Sequence, residues 1–200
     1  MNLTEVTRAC PDFQRGALVL GVGHAGTSTV ACALRRAGYT LVGDQTLCEH
    51  RAAVRANERY IRTLNLSKAH FDEAGAIPRF VARAPGRAEE SLRAEASNVV
   101  RRLQKPFVVK DPRFVWTLHH WAPIFASSPP GLIHVTRQPV KVLRSHLVRR
   151  ERMVMRDVQT RIFWDRWQLS HWPFCSVSFP IRALGPHNIH NKKSVASRYR

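Results

Sequence analysis

Ala17–Ser28 reads ALVLGVGHAGTS. The apolar run Ala17-Leu18-Val19-Leu20 stops at Gly21, passes through Gly23 and Gly26 and enters Thr27-Ser28-Thr29. This order predicts a strand, a tight glycine turn and the N-terminus of a helix. Glycine admits positive φ and lets the main chain approach a ligand, while the unpaired N–H groups and dipole of a first helical turn attract an anion. The stretch points to a phosphate; a glycine turn with no ligand is the alternative left open by these residues alone. In the triphosphate loop G-x-x-x-x-G-K-[ST], the lysine reaches the β- and γ-phosphates. Here the spacing from Gly21 to Gly26 is kept and Thr27 stands where the lysine would be, so the loop suits one phosphate-like group better than a triphosphate.

Outward from the loop, Val30, Ala33, Leu34 and Ala37 recur at helical spacing and Gly38 closes the run, which predicts a helix of about three turns. Tyr39–Val42 reads as a second short strand ending at Gly43-Asp44. Glu49–Leu64 reads as a helix with Ala53, Val54, Asn57, Tyr60, Ile61 and Leu64 on one stripe and Arg51, Arg55, Arg59 and Arg62 elsewhere. Ser67–Arg87, with Gly75, Pro78, Pro85 and Gly86, reads as a loop, and Ala88–Leu103 as a helix. Pro106–Val109 is a short buried strand that delivers Lys110-Asp111-Pro112-Arg113. A helix over Phe114–Phe125 is broken at Ser127–Gly131. Leu132–Val135 is the next strand, and Pro139 opens a helix carrying Val140, Leu143 and Leu147 inward. A helix over Asp157–Ser170 and a strand over Cys175–Phe179 follow.

Strand alternating with helix predicts an α/β fold of three layers, a parallel sheet with helices on both faces, and ligands bound outside the carboxyl ends of the strands. His24–Ser28, Lys110–Arg113 and Thr136–Arg137 all fall at such ends. Residues 1–180 read as one domain and 181–200 as a polar, loosely held tail.

Composition bounds the partners. The chain has 200 residues, 44% of them hydrophobic, with no apolar run near the roughly eighteen residues of a spanning helix. Met1–Arg15 lacks the apolar core of a secretory signal, which gives a cytoplasmic expectation. Lys plus Arg number 32 against 14 Asp plus Glu, a formal charge of +18. Arginine is scattered from Arg8 to Arg200 without a dense run, so an anion-attracting surface and plain compositional bias both remain open. Cys10, Cys32, Cys48 and Cys175 show neither C-x-x-C spacing nor a zinc pattern, and reduced thiols are expected. No metal site is indicated.

Together these residues resemble the sulfotransferase family, whose P-loop-type fold, like that of nucleoside-triphosphate hydrolases, binds 3′-phosphoadenosine 5′-phosphosulfate. The family's loop P-[KR]-[ST]-G-T-[ST] is similar to Gly23-His24-Ala25-Gly26-Thr27-Ser28 at its Gly-Thr-Ser end. The family's 3′-phosphate site, an arginine at a strand end and a serine on the next helix, resembles Arg137 and Ser145, and Lys110-Asp111-Pro112-Arg113 resembles the K-D-P-R segment of one branch. The likeness spans about Ala17 to Phe179. It departs at His24, where the family has Lys or Arg, and at Gly23 and Ala25.

The resemblance implies a transfer of a sulfuryl group from that donor to a hydroxyl or amine, on a small molecule or a glycan, with no metal and no specific nucleic acid. Gly23, His24, Ala25, Gly26, Thr27, Ser28 and Thr29 would hold the phosphosulfate, and Arg137 and Ser145 the 3′-phosphate. His24 and Lys110 would supply charge to the transferring group. Glu49 is the candidate base, with Asp44 and His50 beside it, and Asp111 reads as structural. Two other readings stay open: a P-loop nucleotide-binding protein or kinase, and a basic anion-binding module without catalysis.

Overall fold

The computed structural model describes residues 10–44, 47–63, 86–148, 158, 159, 162, 163, 166, 169, 170, 172, 173 and 175–180. In chain order its principal elements are α1 (Asp12–Arg15), β1 (Gly16–Leu20), α2 (Thr27–Arg36), β2 (Gly43–Asp44), β3 (Glu49–His50), α3 (Arg51–Thr63), α4 (Gly86–Arg101), β4 (Phe107–Lys110), α5 (Phe114–Trp121), β5 (Gly131–Thr136), α6 (Pro139–Val148) and β6 (Ser176–Pro180).

Every residue of β1 is buried, as a strand needs to be when both of its faces and both of its edges are covered. It lies parallel to β4 on one side and to β5 on the other, and β6 extends the sheet in parallel beyond β5, giving the order β4-β1-β5-β6. Alternation along β1 then feeds two cores. Leu18 and Leu20 pack with Tyr60 of α3, Leu92 and Ala96 of α4, and Phe114 and Trp121 of α5. Ala17 and Val19 pack with Phe13 of α1, Val30 and Leu34 of α2, and Val142 of α6. The result is an α/β fold with a four-stranded parallel sheet between helical layers. Because the strands are parallel, the turns after β1, β4 and β5 all leave from one edge.

Several elements depart from the sequence-based expectation. Tyr39–Val42 is not a strand of the sheet. Thr40 makes a single bridge to Phe107, with its N–H donating to Pro106 O at 2.7 Å and its carbonyl accepting from Val108 N at 2.9 Å. Val42 is exposed, and the chain turns instead into a small antiparallel ribbon of β2 with β3. The α-helix from Phe114 ends at Trp121 and tightens to a 3₁₀ turn over Ala122–Phe125, where Pro123 lacks the N–H an α-helix needs. In α6, Val142 and His146 are buried and Leu143 packs partly buried against the same core, while Val140 and Leu147 are exposed. The helix is thus rotated from the expected facing, because Val142 joins the core and the His146 ring meets His24.

The expectation of reduced thiols is overturned. Cys10 is bonded to Cys175 and Cys32 to Cys48, with Cα–Cα separations of 6.7 and 5.7 Å, within the span a disulfide bridges. Sequence spacing hides both pairs, since the fold itself creates them. The Cys175 amide donates to Asp12 at 3.2 Å, which brings the start of β6 beside α1. No described helix is long and apolar enough to cross a membrane. Of the expected loop Ser67–Arg87, Gly86 and Arg87 open α4 instead, and the rest, like the tail at 181–200, lies outside the described residues.

Candidate functional site

The order β4-β1-β5 means that the chain leaves β1 toward β4 and later crosses to β5 on the other side. The carboxyl end of β1 is therefore the point where the strand order reverses, the place where open α/β sheets bind ligands. The glycine loop lies on one side of it. Gly21 has φ +156°, His24 +65° and Gly26 +104°. Ala25 N–H closes the turn on Val22 O at 3.0 Å, and Val30 N–H on Gly26 O at 3.2 Å begins the α2 ladder. Val22 and Ala25 are buried and anchor the loop, while Gly23, His24, Gly26 and Ser28 are partly open. Gly26 is the N-cap and supplies no side-chain hydrogen bond, so the Thr27, Ser28 and Thr29 amides have no capping side chain. The Thr27 side chain is buried and Thr29 is exposed.

Gly21 is where β1 and β5 come closest to the helix start. A Cβ there would sit 2.7 Å from Val135 O and 2.8 Å from Thr27 Cγ2, at a φ that side chains avoid. At Gly23 a Cβ would meet only the His146 ring, at 3.8 Å. Gly21→Ala is therefore expected to cost about 1–3 kcal/mol by overpacking, and Gly23→Ala less than about 1 kcal/mol. Urea unfolding of the two variants checks the contrast; equal costs would mean that the close approach at Gly21 does not constrain the loop.

The other side comes from β5 and α6. Arg137, at the exit of β5, donates from Nη1 to His24 O at 2.9 Å. Its Nε is buried with no partner among the described residues. Ser145 Oγ lies 3.2 Å from His24 Nδ1. The buried His146 ring packs edge-on against the His24 ring, with centroids 4.0 Å apart. The structure thus brings His24, Arg137 and Ser145 together and adds His146. The sequence offers only adjacency to Ser145 as a signal for His146, and the helix rotation decides whether it counts.

A second group sits on the β4 side of the same edge. Lys110, fully buried at the strand end, donates to Glu49 Oε1 at 2.8 Å and to Leu47 O at 3.3 Å. The two candidate groups therefore form one ion pair. His50 is placed differently from a base: its Nδ1 accepts the Ala53 N–H at 3.3 Å and caps α3, and burial pulls its pKa below the usual value. Asp44 ends β2.

Asp111 is the centre of a buried network. It accepts from Asn57 Nδ2 at 2.8 Å, from Arg113 N at 3.0 Å and from Arg113 Nη1 at 2.9 Å. Asn57 Oδ1 in turn accepts from Trp121 Nε1 at 2.9 Å, and Arg113 also pairs with Glu58. Burial works against the Arg113 charge, but Asp111 and Glu58 outweigh it and hold its pKa above the ordinary value. These contacts tie α3 to the β4–α5 corner, which is how Lys110 and Glu49 come to face each other.

A further cluster lies among α3, α4 and α5. Burial pushes the Tyr60 hydroxyl up to about 12 and the His120 imidazolium down to about 4. Tyr60 Oη and His120 Nε2 share a hydrogen bond at 2.9 Å, and His120 Nδ1 faces Glu89 Oε1 at 3.4 Å. With Tyr60 buried, the trio is a packing device rather than a reactive one. Among the described residues no group of three or more His, Cys, Asp or Glu side chains is arranged to hold a metal ion. No family model matches the chain, and no curated protein matches it.

Proposed function

We propose that the chain is a sulfotransferase of the P-loop type, moving a sulfuryl group from 3′-phosphoadenosine 5′-phosphosulfate to a hydroxyl or amine. The observation that carries this reading is the reach of Arg137 from the exit of β5 to the glycine loop itself. An anion on the loop and an anion on the Arg137–Ser145 clamp are then close enough to belong to one small molecule. Had the guanidinium stood on the far side of the sheet, no nucleotide could span the two.

The residues present fit such a donor. The first amides of α2 lack a side-chain cap, and Arg137 has a buried Nε with no acceptor, a group that an anion satisfies. When bound, the donor supplies an activated sulfuryl group. The chain's own contribution is positioning and charge. The Gly26, Thr27, Ser28 and Thr29 amides donate to the phosphosulfate, with the loop residues Gly23 and Ala25 shaping the turn. Arg137 and Ser145 would hold the 3′-phosphate, the guanidinium by its N–H groups and the serine by its hydroxyl. His24 stands where the family has a fixed cation. Glu49 would take the acceptor's proton as the acceptor atom bonds to sulfur and the bond from sulfur to the donor phosphate breaks, adenosine 3′,5′-bisphosphate being the leaving group, and Lys110 would orient the Glu49 carboxylate.

Thr27 in place of lysine weighs against a kinase. The Lys110–Glu49 pair, in which the cation is already engaged, favours a second reading: a module that binds the nucleotide and does not transfer. A thermal shift tests the binding. Adenosine 3′,5′-bisphosphate at about 100 times its Kd stabilises by about 2.7 kcal/mol, a rise of about 5–10 °C for a domain of this size. Arg137→Ala is expected to abolish that rise. A larger rise with ATP and magnesium, or an undiminished rise in Arg137→Ala, would overturn the reading. A rise without sulfuryl transfer to any acceptor would select the second.

A further inference from the structure

The solvent face of α3 carries Arg51, Arg55, Arg59 and Arg62, all exposed. At about 100° and 1.5 Å per residue they occupy an arc of about 80° and a length of about 16 Å. The opposite face, with Ala53, Ala56, Tyr60 and Ile61, is buried. Among the described residues Arg59 alone of the four has an acidic partner, Glu95 at 2.5 Å. Glu58, the one carboxylate on the helix, is turned to Arg113. Arg51, Arg55 and Arg62 make no ion pair among the described residues. Like charges spaced four residues apart destabilise a helix, so this stripe carries a repulsion that an external polyanion relieves.

We propose that the α3 arginine stripe docks an acidic polysaccharide. Two observations separate that occupant from a nucleic acid. No aromatic side chain interrupts the exposed face, whereas single-stranded nucleic acids are held on aromatic platforms. The two disulfides are bonds of a kind that persists in oxidising compartments, where long polyanions are carboxylated or sulfated glycans. The stripe begins at Arg51, immediately after β3, which carries Glu49 to Lys110. A glycan lying along α3 therefore runs toward the candidate site; that it is the acceptor rests on the transferase reading, and its docking does not.

The test uses the full oxidised chain, with heparin oligosaccharide and a single-stranded oligothymidine as probes over a salt series. The triple variant Arg51→Gln, Arg55→Gln, Arg62→Gln is expected to bind heparin at least 30-fold more weakly and with a flatter dependence on salt. The charge-matched variant Arg36→Gln, Arg87→Gln, Arg102→Gln is expected to lose less than 3-fold. The bisphosphate thermal shift is expected to be unchanged in both, so a failed docking and a failed donor site give different results. Equal losses in the two triple variants, undetectable heparin binding, or oligothymidine binding as tight and as dependent on the same arginines would overturn the proposal.

Discussion

Asp111→Ala is expected to lower the unfolding free energy by about 3–5 kcal/mol, the usual cost of removing one partner from a buried charged pair. The carboxylate side chain is fully buried and takes three hydrogen bonds. Without it, the Asn57 amide is left without its acceptor in the core, the Arg113 amide loses its partner, and Arg113 keeps only Glu58. Trp121, held through Asn57, loses its fixed anchor as well. A domain stable by about 5–15 kcal/mol surrenders a large share of that. Asp111→Asn retains one acceptor and much of the shape, and is expected to cost less, about 1–3 kcal/mol. Urea unfolding at neutral pH measures both. A loss below about 1 kcal/mol in the alanine variant would show that the β4–α5 corner is held by its apolar contacts alone.

The second large effect is acid lability. Burial, helped by the nearby Arg93 and Arg166 charges respectively, holds His120 and His134 at about 4 instead of 6.5. Between those values the unfolded chain binds more protons than the folded one, so unfolding free energy rises with pH there. Their contribution is complete above about pH 6.5 and is lost as the pH falls to about 4, on the order of 3 kcal/mol for each histidine. His50, shifted in the same direction, adds to the slope. Stability measured from pH 7.5 down to pH 5 covers a window in which ordinary carboxylates titrate little. His120→Gln and His134→Gln are each expected to flatten the curve, whatever their effect at neutral pH. A curve that is level across that window in the native sequence would contradict the burial of both rings.

Much of the architecture is legible because single residues carry it. The run from Ala17 to Leu20 is apolar on both faces and can sit only inside a sheet. The glycines after it mark the turn, and Pro106 and Pro139 mark where a strand and a helix begin. What escapes the sequence is rotational or long-range. Val140 and Leu147 have the spacing of a buried stripe as good as that of Val142 and His146, and only the approach of His24 settles which side turns inward. The four cysteines have no local pattern, since their pairing depends on β6 lying beside α1 and on Cys48, just before β3, reaching Cys32 in α2. Tyr39–Val42 has strand composition but lacks a second face to cover it. At the candidate site, the convergence of loop ends follows from parallel strands and could be read ahead. That Lys110 and Glu49 neutralise each other could not, because nothing in their spacing of sixty-one residues indicates contact.

The Cys32–Cys48 bond gives that site a particular mechanics. Cys32 lies in α2, whose first turn follows the glycine loop, and Cys48 immediately precedes Glu49. A covalent path of only a few residues therefore runs from the Thr27 amide to the carboxylate beside Lys110, bypassing the chain between them. Closing a loop of this length disfavours the unfolded chain by about 3 kcal/mol. In the folded state the same yoke makes the α2 end and the β2–β3 ribbon one lever arm: whatever displaces the ribbon must drag the helix with it, so the spacing between the Thr27 amide and the Glu49 carboxylate is a property of a single rigid part.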